Sequence, residues 1–140
     1  MYLLDTNLVS ELRKARTGKA DPGVLTWAAG LPADAQFLSV ITVLELELGV
    51  RLHERRDPAQ GALLRTWLER QVIDGFAGRI IAVDTEIARC CAALQVPDPR
   101  PDRDTLIAAT ALIRGLTVVT RNTRDFAGTG VALHNPWSSG

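Results

Sequence analysis

The sequence contains little cysteine, histidine or lysine, with two residues of each type among 140. Cys90 and Cys91 are neighbours in the chain, so a disulfide cannot join distant parts of the fold, and this usage predicts a protein of the reducing cytoplasm. Two histidines and one adjacent cysteine pair do not supply the ligands of a typical zinc site. The scarcity of these residues therefore argues against disulfide scaffolds and against zinc chemistry.

Long apolar runs are also missing. The longest stretch without a charged residue, 126–140, contains Gly, Asn, Pro and Ser and is shorter than the roughly 20 apolar residues that a membrane-spanning helix needs. An acid at Asp5 and the lack of a basic segment before an apolar one predict that there is no signal peptide. Sixteen basic residues balance sixteen acidic ones, so the net charge favours neither nucleic acid nor an anionic membrane. We therefore expect no membrane partner.

Several common catalytic signatures are absent as well. The chain has no Gly-x-Gly-x-x-Gly, no Walker A motif and no His-Glu-x-x-His. Its serines lie in no recognisable nucleophile elbow. Dinucleotide-binding enzymes, P-loop enzymes, zinc proteases and α/β-hydrolases are thereby excluded.

The composition is that of one globular domain spanning residues 1–140, with 46% hydrophobic and 23% charged residues. Short apolar runs alternate with segments of helical periodicity, which is typical of α/β proteins with a mostly parallel central sheet flanked by helices. We expect Thr6 and Asp84 to cap the helices that follow them, Asp104 to open another helix and Gly115 to end it. Strands are predicted at 1–4, 37–41, 79–83, 116–120 and 131–133, and helices at 7–14, 22–30, 43–52, 60–76, 85–94 and 104–114.

The segment 43–52 is ambiguous, because its apolar residues alternate with polar or small ones as in a half-buried strand. Thr42 and Glu45, however, have the spacing of a capping box, and Glu47 with Arg51 forms a favourable i,i+4 pair. These features favour a helix. A strand would place Glu45 and Glu47 on one face, whereas a helix separates them by about 200°.

Four acids lie just after a predicted strand or in the first turn of a helix. Because the carboxyl ends of parallel strands meet at one edge of a sheet, we expect these acids to converge. Carboxylates gathered in this way raise one another's pKa unless a cation neutralises them, and oxygen ligands without histidine or cysteine select Mg²⁺ or Mn²⁺. The predicted catalytic and metal-binding residues are Asp5, Glu45, Asp104 and Asp125.

Each of these acids also has a structural explanation as a helix cap, a helix N-terminal acid or a turn former. The metal-site hypothesis therefore rests on their joint placement. Arg121 and Arg124 flank Asn122 in the same loop as Asp125, and arginine suits phosphate because its planar fork donates two hydrogen bonds at once. We predict that both arginines bind substrate, although a solvated surface role or an Arg124–Asp125 pair would also account for them.

Five ordered segments resemble a VapC-type PIN-domain protein, the toxin half of bacterial toxin-antitoxin pairs. The resemblance implies a PIN-like three-layer sandwich and places metal-site acids at Asp5, Glu45 and Asp104. The fourth acid of the family falls on Asn122, with Asp125 three residues later, so either could serve. Thr6, Asn7, Thr120 and Asn122 are expected to support the site. The matching segments are LLDTNLVSEL from Leu3, SVITVLELELGV from Ser39, DTLIAATAL from Asp104, VVTRNTRDF from Val118 and NPW from Asn135.

The resemblance also implies a function: hydrolysis of RNA phosphodiester bonds by a Mg²⁺- or Mn²⁺-dependent endoribonuclease that leaves 5′-phosphate and 3′-hydroxyl ends. It further implies a cognate antitoxin and a homodimer in the cytoplasm. Two alternatives stay open, a non-catalytic RNA- or protein-binding scaffold and an aspartyl phosphotransferase or phosphatase with Asp5 as nucleophile. Asn7 counts against the second, because it replaces the second acid of a D-x-D signature. We expect an apolar partner surface on the first two helices, from Leu8, Leu12, Val24, Leu25 and Trp27.

Overall fold

The computed structural model describes residues 1–138, so the last two residues of the predicted domain lie outside it. Five strands form one sheet in the order β3-β2-β1-β4-β5, and every neighbouring pair is parallel. The predicted parallel sheet flanked by helices is thus confirmed. The strands are β1 (Tyr2–Leu4), β2 (Gln36–Ser39), β3 (Ile80–Ile81), β4 (Thr117–Val119) and β5 (Leu133–His134).

Helices connect the strands and cover both faces of the sheet. The long segment predicted as one helix at 60–76 is an α-helix followed by a π-helical segment, Leu68–Asp74, which keeps Leu68 and Val72 in the core. The α-helices in the described part of the chain are α1 (Thr6–Arg13), α2 (Pro22–Ala29), α3 (Val40–Arg56), α4 (Pro58–Trp67), α5 (Thr85–Leu94) and α6 (Asp102–Arg114).

The three layers follow from the alternation of side chains along each strand. Leu4 and Val119 point to one face of the sheet and pack against α1 to α4. Leu3 and Val118 point to the other face and pack against Ile107 of α6. All four strand residues are fully buried, as expected for a parallel sheet covered on both sides. The sandwich therefore has its core on both faces and leaves the strand ends available for a site.

Two predicted helix caps are wrong, and both errors concern residues beside the site. Asp5, not Thr6, caps α1, because its Oδ1 accepts from the Thr6 backbone N–H at 2.8 Å. The helix α3 begins at Val40, with Ser39 Oγ accepting from the Ile41 N–H at 3.0 Å, so Thr42 lies inside the first turn. In both cases an earlier side chain satisfies the first N–H groups, which frees the threonine hydroxyl for a tertiary contact.

The helix α6 begins at Asp102, after Pro101, two residues before the predicted start at Asp104. Two other predicted ends are confirmed: Asp84 caps α5 by accepting from the Ile87 N–H at 2.9 Å, and Gly115 ends α6 with φ 70°. Several predicted strands are longer than those observed, because only their central residues pair in the sheet. The predicted strands that correspond to β2, β3 and β4 end one or two residues after the observed strands, and β5 begins two residues later than predicted.

The predicted apolar surface on the first two helices is also wrong. Leu8 and Val24 are fully buried, and Leu12, Leu25 and Trp27 are partly buried. Large apolar side chains are exposed on other helices: Leu63 of α4 is 67% exposed and Leu112 of α6 is 37% exposed, and on α3 Leu44, Leu48 and Leu52 are 46%, 43% and 53% exposed. Their i,i+4 spacing places them along one stripe of α3. No helix of the described chain is both long and apolar enough to cross a bilayer.

Candidate active site

Asp5 lies at the centre of the candidate site, at the junction of β1 and α1. Its side chain is buried, with 6% of the residue exposed. Besides the Thr6 N–H, Asp5 accepts from the Thr120 hydroxyl at 2.8 Å and from Asn7 Nδ2 at 3.3 Å. Burial raises the pKa of the Asp5 carboxyl, while the bonds from Thr120 and Thr6 act in the opposite direction. The carboxylate is therefore held in one orientation at the cost of desolvation.

Glu45 reaches the same place from α3. The Thr6 hydroxyl donates to Glu45 Oε1 at 2.7 Å and lies 3.3 Å from the hydroxyl of the buried Thr42. Thr6 thus bonds to Asp5 through its backbone N–H and to Glu45 through its side chain, and it couples β1 to α3.

Glu47 points away from the site, as the helix interpretation of this segment requires. It accepts from Arg51 Nε at 2.7 Å, which confirms the predicted pair, and from Arg65 Nη1 and Nη2 at 2.9 and 2.8 Å. Arg65 also binds both carboxylate oxygens of Glu54. Glu47 therefore fastens α3 to α4, whereas Glu45 faces the site.

Asp104 and Asp125 complete the group of acids. Asp104 is half-buried in the first turn of α6, and Asp125 is exposed in the loop after β4. Burial raises the pKa of Asp104, and the negative charges of Asp5, Asp125 and Glu45 raise it further. The structure therefore brings the four acids within electrostatic range of one another at the carboxyl edge of the sheet. Their chemical roles remain predictions.

The residues that could hold a cation are Asp5, Glu45 and Asp104. Within residues 1–138, no three Asp, Glu, His or Cys side chains are close enough to ligate one ion together. Mg²⁺ usually keeps several waters and is held by one or two carboxylates, so an open arrangement is compatible with it. In the described part of the chain Asp104 accepts no hydrogen bond, and the donor set is oxygen alone, which fits Mg²⁺ or Mn²⁺.

The supporting residues form a hydrogen-bonded layer around Asp5. Asn7 Nδ2 lies 3.2 Å from the Thr120 hydroxyl oxygen, and Asn7 Oδ1 accepts from the Arg121 N–H at 3.3 Å. The Asn122 N–H donates to the Thr120 hydroxyl oxygen at 3.0 Å. Asn122 thus contributes its backbone, and its side chain makes no hydrogen bond to the four acids in the described chain. This layer ties the loop after β4 to Asp5.

The two predicted substrate arginines lie at the surface of this loop. Arg121 places its guanidinium 5.8 Å from the ring centre of Trp137, which is buried. Arg124 is exposed, and within residues 1–138 it forms no ion pair, so the Arg124–Asp125 pair considered as an alternative is not observed. Both side chains are therefore accessible to a ligand.

Sequence reasoning missed two residues of the site. Thr42 was interpreted as a helix cap, and only its burial beside Thr6 shows that it lines the site. Arg103 was not singled out, yet its Nη1 lies 3.9 Å from Glu45 Oε2. Its position directly before Asp104 was the one signal available in the sequence.

Comparison with known proteins identifies the family. Residues 2–131 match the model of the PIN domain. The chain is 35% identical over 144 residues to VapC ribonuclease Y4jK of Sinorhizobium fredii, and the alignment covers 98% of each chain. It is 36% identical over 142 residues to toxin FitB of Neisseria gonorrhoeae, and this alignment covers 98% of the present chain and 99% of FitB. The crystal structure of FitAcB from Neisseria gonorrhoeae superposes with a TM-score of 0.88 at 36% identity, covering 99% of each chain. This chain therefore belongs to the PIN-domain family, in its VapC-type branch.

Proposed function

We propose that this protein is the toxin of a toxin-antitoxin pair and acts as a Mg²⁺- or Mn²⁺-dependent endoribonuclease. The observation that carries the proposal is the buried, fully hydrogen-bonded Asp5 beside Glu45, Asp104 and Asp125. Such an arrangement is costly for a fold unless a cation and an anionic substrate use it. The names of the relatives, a VapC ribonuclease and a toxin, support the same activity.

The protein's own groups would orient the reaction. The Thr120 hydroxyl and the Thr6 N–H fix the Asp5 carboxylate, and the Thr6 hydroxyl fixes Oε1 of Glu45. Glu45 Oε2 accepts no hydrogen bond within the described residues and is available to position the attacking water. A divalent cation held by one or two of the carboxylates of Asp5, Glu45 and Asp104, with waters as its other ligands, would supply Lewis acidity when bound.

We infer that the cleavage leaves a 5′-phosphate and a 3′-hydroxyl. Neither histidine of the chain is among the side chains that contact the four acids, so the site offers no histidine base for a 2′-hydroxyl. Arg121 and Arg124 would bind backbone phosphates beside the acids. Single-stranded or loop RNA is the expected substrate, because its backbone can enter an acidic groove and its bases are unstacked.

The test is cleavage of an end-labelled RNA by the isolated chain with Mg²⁺, with Mn²⁺ and with chelator. We expect metal-dependent cleavage by the parent chain, none by Asp5→Asn or Asp104→Asn, and 5′-phosphate ends on the products. Cyclic phosphate ends, or full activity of Asp5→Asn, would overturn the mechanism. Sequencing of cut ends from expressing cells would identify the RNA.

The two alternatives give different results in the same assays. A phosphotransferase or phosphatase would release phosphate from a small phosphoester. The position of Asn7 disfavours the phosphotransferase alternative. Its side chain donates to Asp5 Oδ2 and so orients this carboxylate, instead of supplying the second acid. A scaffold would bind RNA or protein without metal-dependent cleavage.

We also propose a cognate antitoxin, a homodimer and a cytoplasmic location. The exposed stripe of α3, formed by Leu44, Leu48 and Leu52, replaces the first two helices as the candidate apolar contact surface. Expression of the chain alone should arrest growth, and co-expression with the neighbouring open reading frame should relieve the arrest. A chain that is harmless at high expression would favour the scaffold alternative.

A further inference from the structure

Arg103 differs from Arg65, Arg79 and Arg114 in having no close partner. Arg65 binds Glu47 and Glu54, Arg114 lies 2.6 Å from Asp84, and Arg79 donates to three backbone carbonyls. Arg103 is 51% exposed, and its one contact, to Glu45 Oε2 at 3.9 Å, is longer than a hydrogen bond. Such a loose, solvent-exposed pair contributes little to stability. The guanidinium is therefore available to another anion.

The position of Arg103 places this guanidinium at the candidate active site. Among residues 1–138, it is the one cation within 4.0 Å of any of the four acids. Glu45 follows β2, whereas Arg121 and Arg124 follow β4, and β1 with Asp5 lies between these two strands. Arg103 therefore lies on the β2 side of Asp5, and the other two arginines lie on the β4 side. A polynucleotide passing Asp5 would meet a guanidinium on each side.

We propose that Arg103 binds a phosphate of the RNA backbone on the β2 side of the acids, and that Glu45 retains the guanidinium there when no RNA is bound. This inference rests on the proposed function. The physical reason is charge: an anionic substrate must approach four carboxylates, and a planar guanidinium can offer two parallel N–H donors to one phosphate. The free energy gained from that bidentate contact exceeds the free energy lost when the solvent-exposed 3.9 Å pair with Glu45 separates. Exchange of Glu45 for the phosphate is therefore favourable.

The alternative is that Arg103 only neutralises Glu45. The two roles are separated by measuring RNA affinity with and without Glu45→Gln. If Arg103 only pairs with Glu45, Arg103→Gln has no effect on affinity once Glu45→Gln is present. If Arg103 contacts RNA, Arg103→Gln weakens binding in both backgrounds.

The experiment uses the full chain carrying Asp5→Asn, which prevents cleavage, and a labelled single-stranded RNA whose fluorescence anisotropy reports binding at several salt concentrations. The matched control is Arg89→Gln, because Arg89 is an exposed arginine of α5 without an ion pair in the described chain. We expect Arg103→Gln to weaken binding several-fold and to reduce the slope of log K against log salt by about 0.7, the value for one phosphate contact on a single strand. Arg103→Lys should retain most of the slope, and Arg89→Gln should change neither quantity.

Each outcome decides between the hypotheses. Binding by Arg103→Gln that equals the Arg89→Gln control overturns the role of Arg103 and leaves the proposed function intact. An effect that disappears with Glu45→Gln also overturns it, in favour of the ion pair. Failure of the Asp5→Asn chain itself to bind RNA overturns the proposed function and this inference with it. Equal melting temperatures of the variants would exclude misfolding as the cause.

Discussion

Asp5 has a structural and a chemical role, and two substitutions separate them. Asp5→Asn and Asp5→Ala both remove the negative charge, so the energetic effect of the buried charge cancels when they are compared with each other. Asn keeps an oxygen that can accept from the Thr6 N–H and an amide that can bond to Thr120. Ala keeps neither, so it loses the cap of α1 and a partner of the buried Thr120 hydroxyl.

The magnitude follows from these two contacts. The lost cap costs about 1 kcal/mol, and the lost bond to the Thr120 hydroxyl costs about 1 kcal/mol more. We therefore expect Asp5→Ala to be less stable than Asp5→Asn by about 2 kcal/mol, which corresponds to roughly 8 °C in melting temperature for a domain of this size. Both variants should lack RNA cleavage.

Thermal unfolding by circular dichroism and the end-labelled RNA assay measure the two effects. Asp84→Ala is a matched control, because Asp84 caps α5 away from the site. It should lower the melting temperature and leave cleavage unchanged. The reasoning is refuted if Asp5→Ala is as stable as Asp5→Asn, or if either variant cleaves RNA at the parent rate.

Three further predictions concern other residues. Glu45→Gln should abolish cleavage with little change in melting temperature, because Glu45 faces the site. Glu47→Gln should lower the melting temperature and leave cleavage intact, because Glu47 joins α3 to α4. Equal loss of cleavage in both variants would refute this assignment of a site role to Glu45 and a structural role to Glu47. Burial and neighbouring charges raise the pKa of Asp104 in the folded chain, so its ionisation opposes folding, an effect that begins above the unfolded-state pKa and is complete above the folded-state pKa. Urea titrations should therefore find Asp104→Asn more stable than the parent at pH 7, by a margin that shrinks as the pH falls toward the unfolded-state value of about 3.9; a margin independent of pH would contradict this. Leu48→Glu should convert a dimer to a monomer in sedimentation experiments, whereas Leu63→Glu on α4 should not; a parent chain that is already monomeric would reject the homodimer.

Local sequence signals identified the elements and failed at their ends. The capping box of Thr42 and Glu45 correctly favoured a helix, yet α3 begins earlier, at Val40. The reason is that several side chains near a helix start can accept from its first N–H groups, and long-range contacts select among them. Thr42 is removed from that role because it is buried against Thr6 of another element. The predicted cap Thr6 is likewise not the observed one, because the preceding Asp5 caps α1.

The sequence by itself determined the α/β class, the mostly parallel pairing of short buried strands and the expectation that Asp5, Glu45, Asp104 and Asp125 lie at one edge. These features depend on periodicity and on the geometry of parallel sheets, which are local or generic. The tertiary structure alone decided how the site is held together. The bonds from Thr6 to Glu45 and from Thr120 to Asp5, the approach of Arg103 to Glu45 and the exposed stripe of α3 join segments far apart in the chain. Side-chain periodicity shows which face of a helix is apolar, but only packing determines which part of that face remains uncovered.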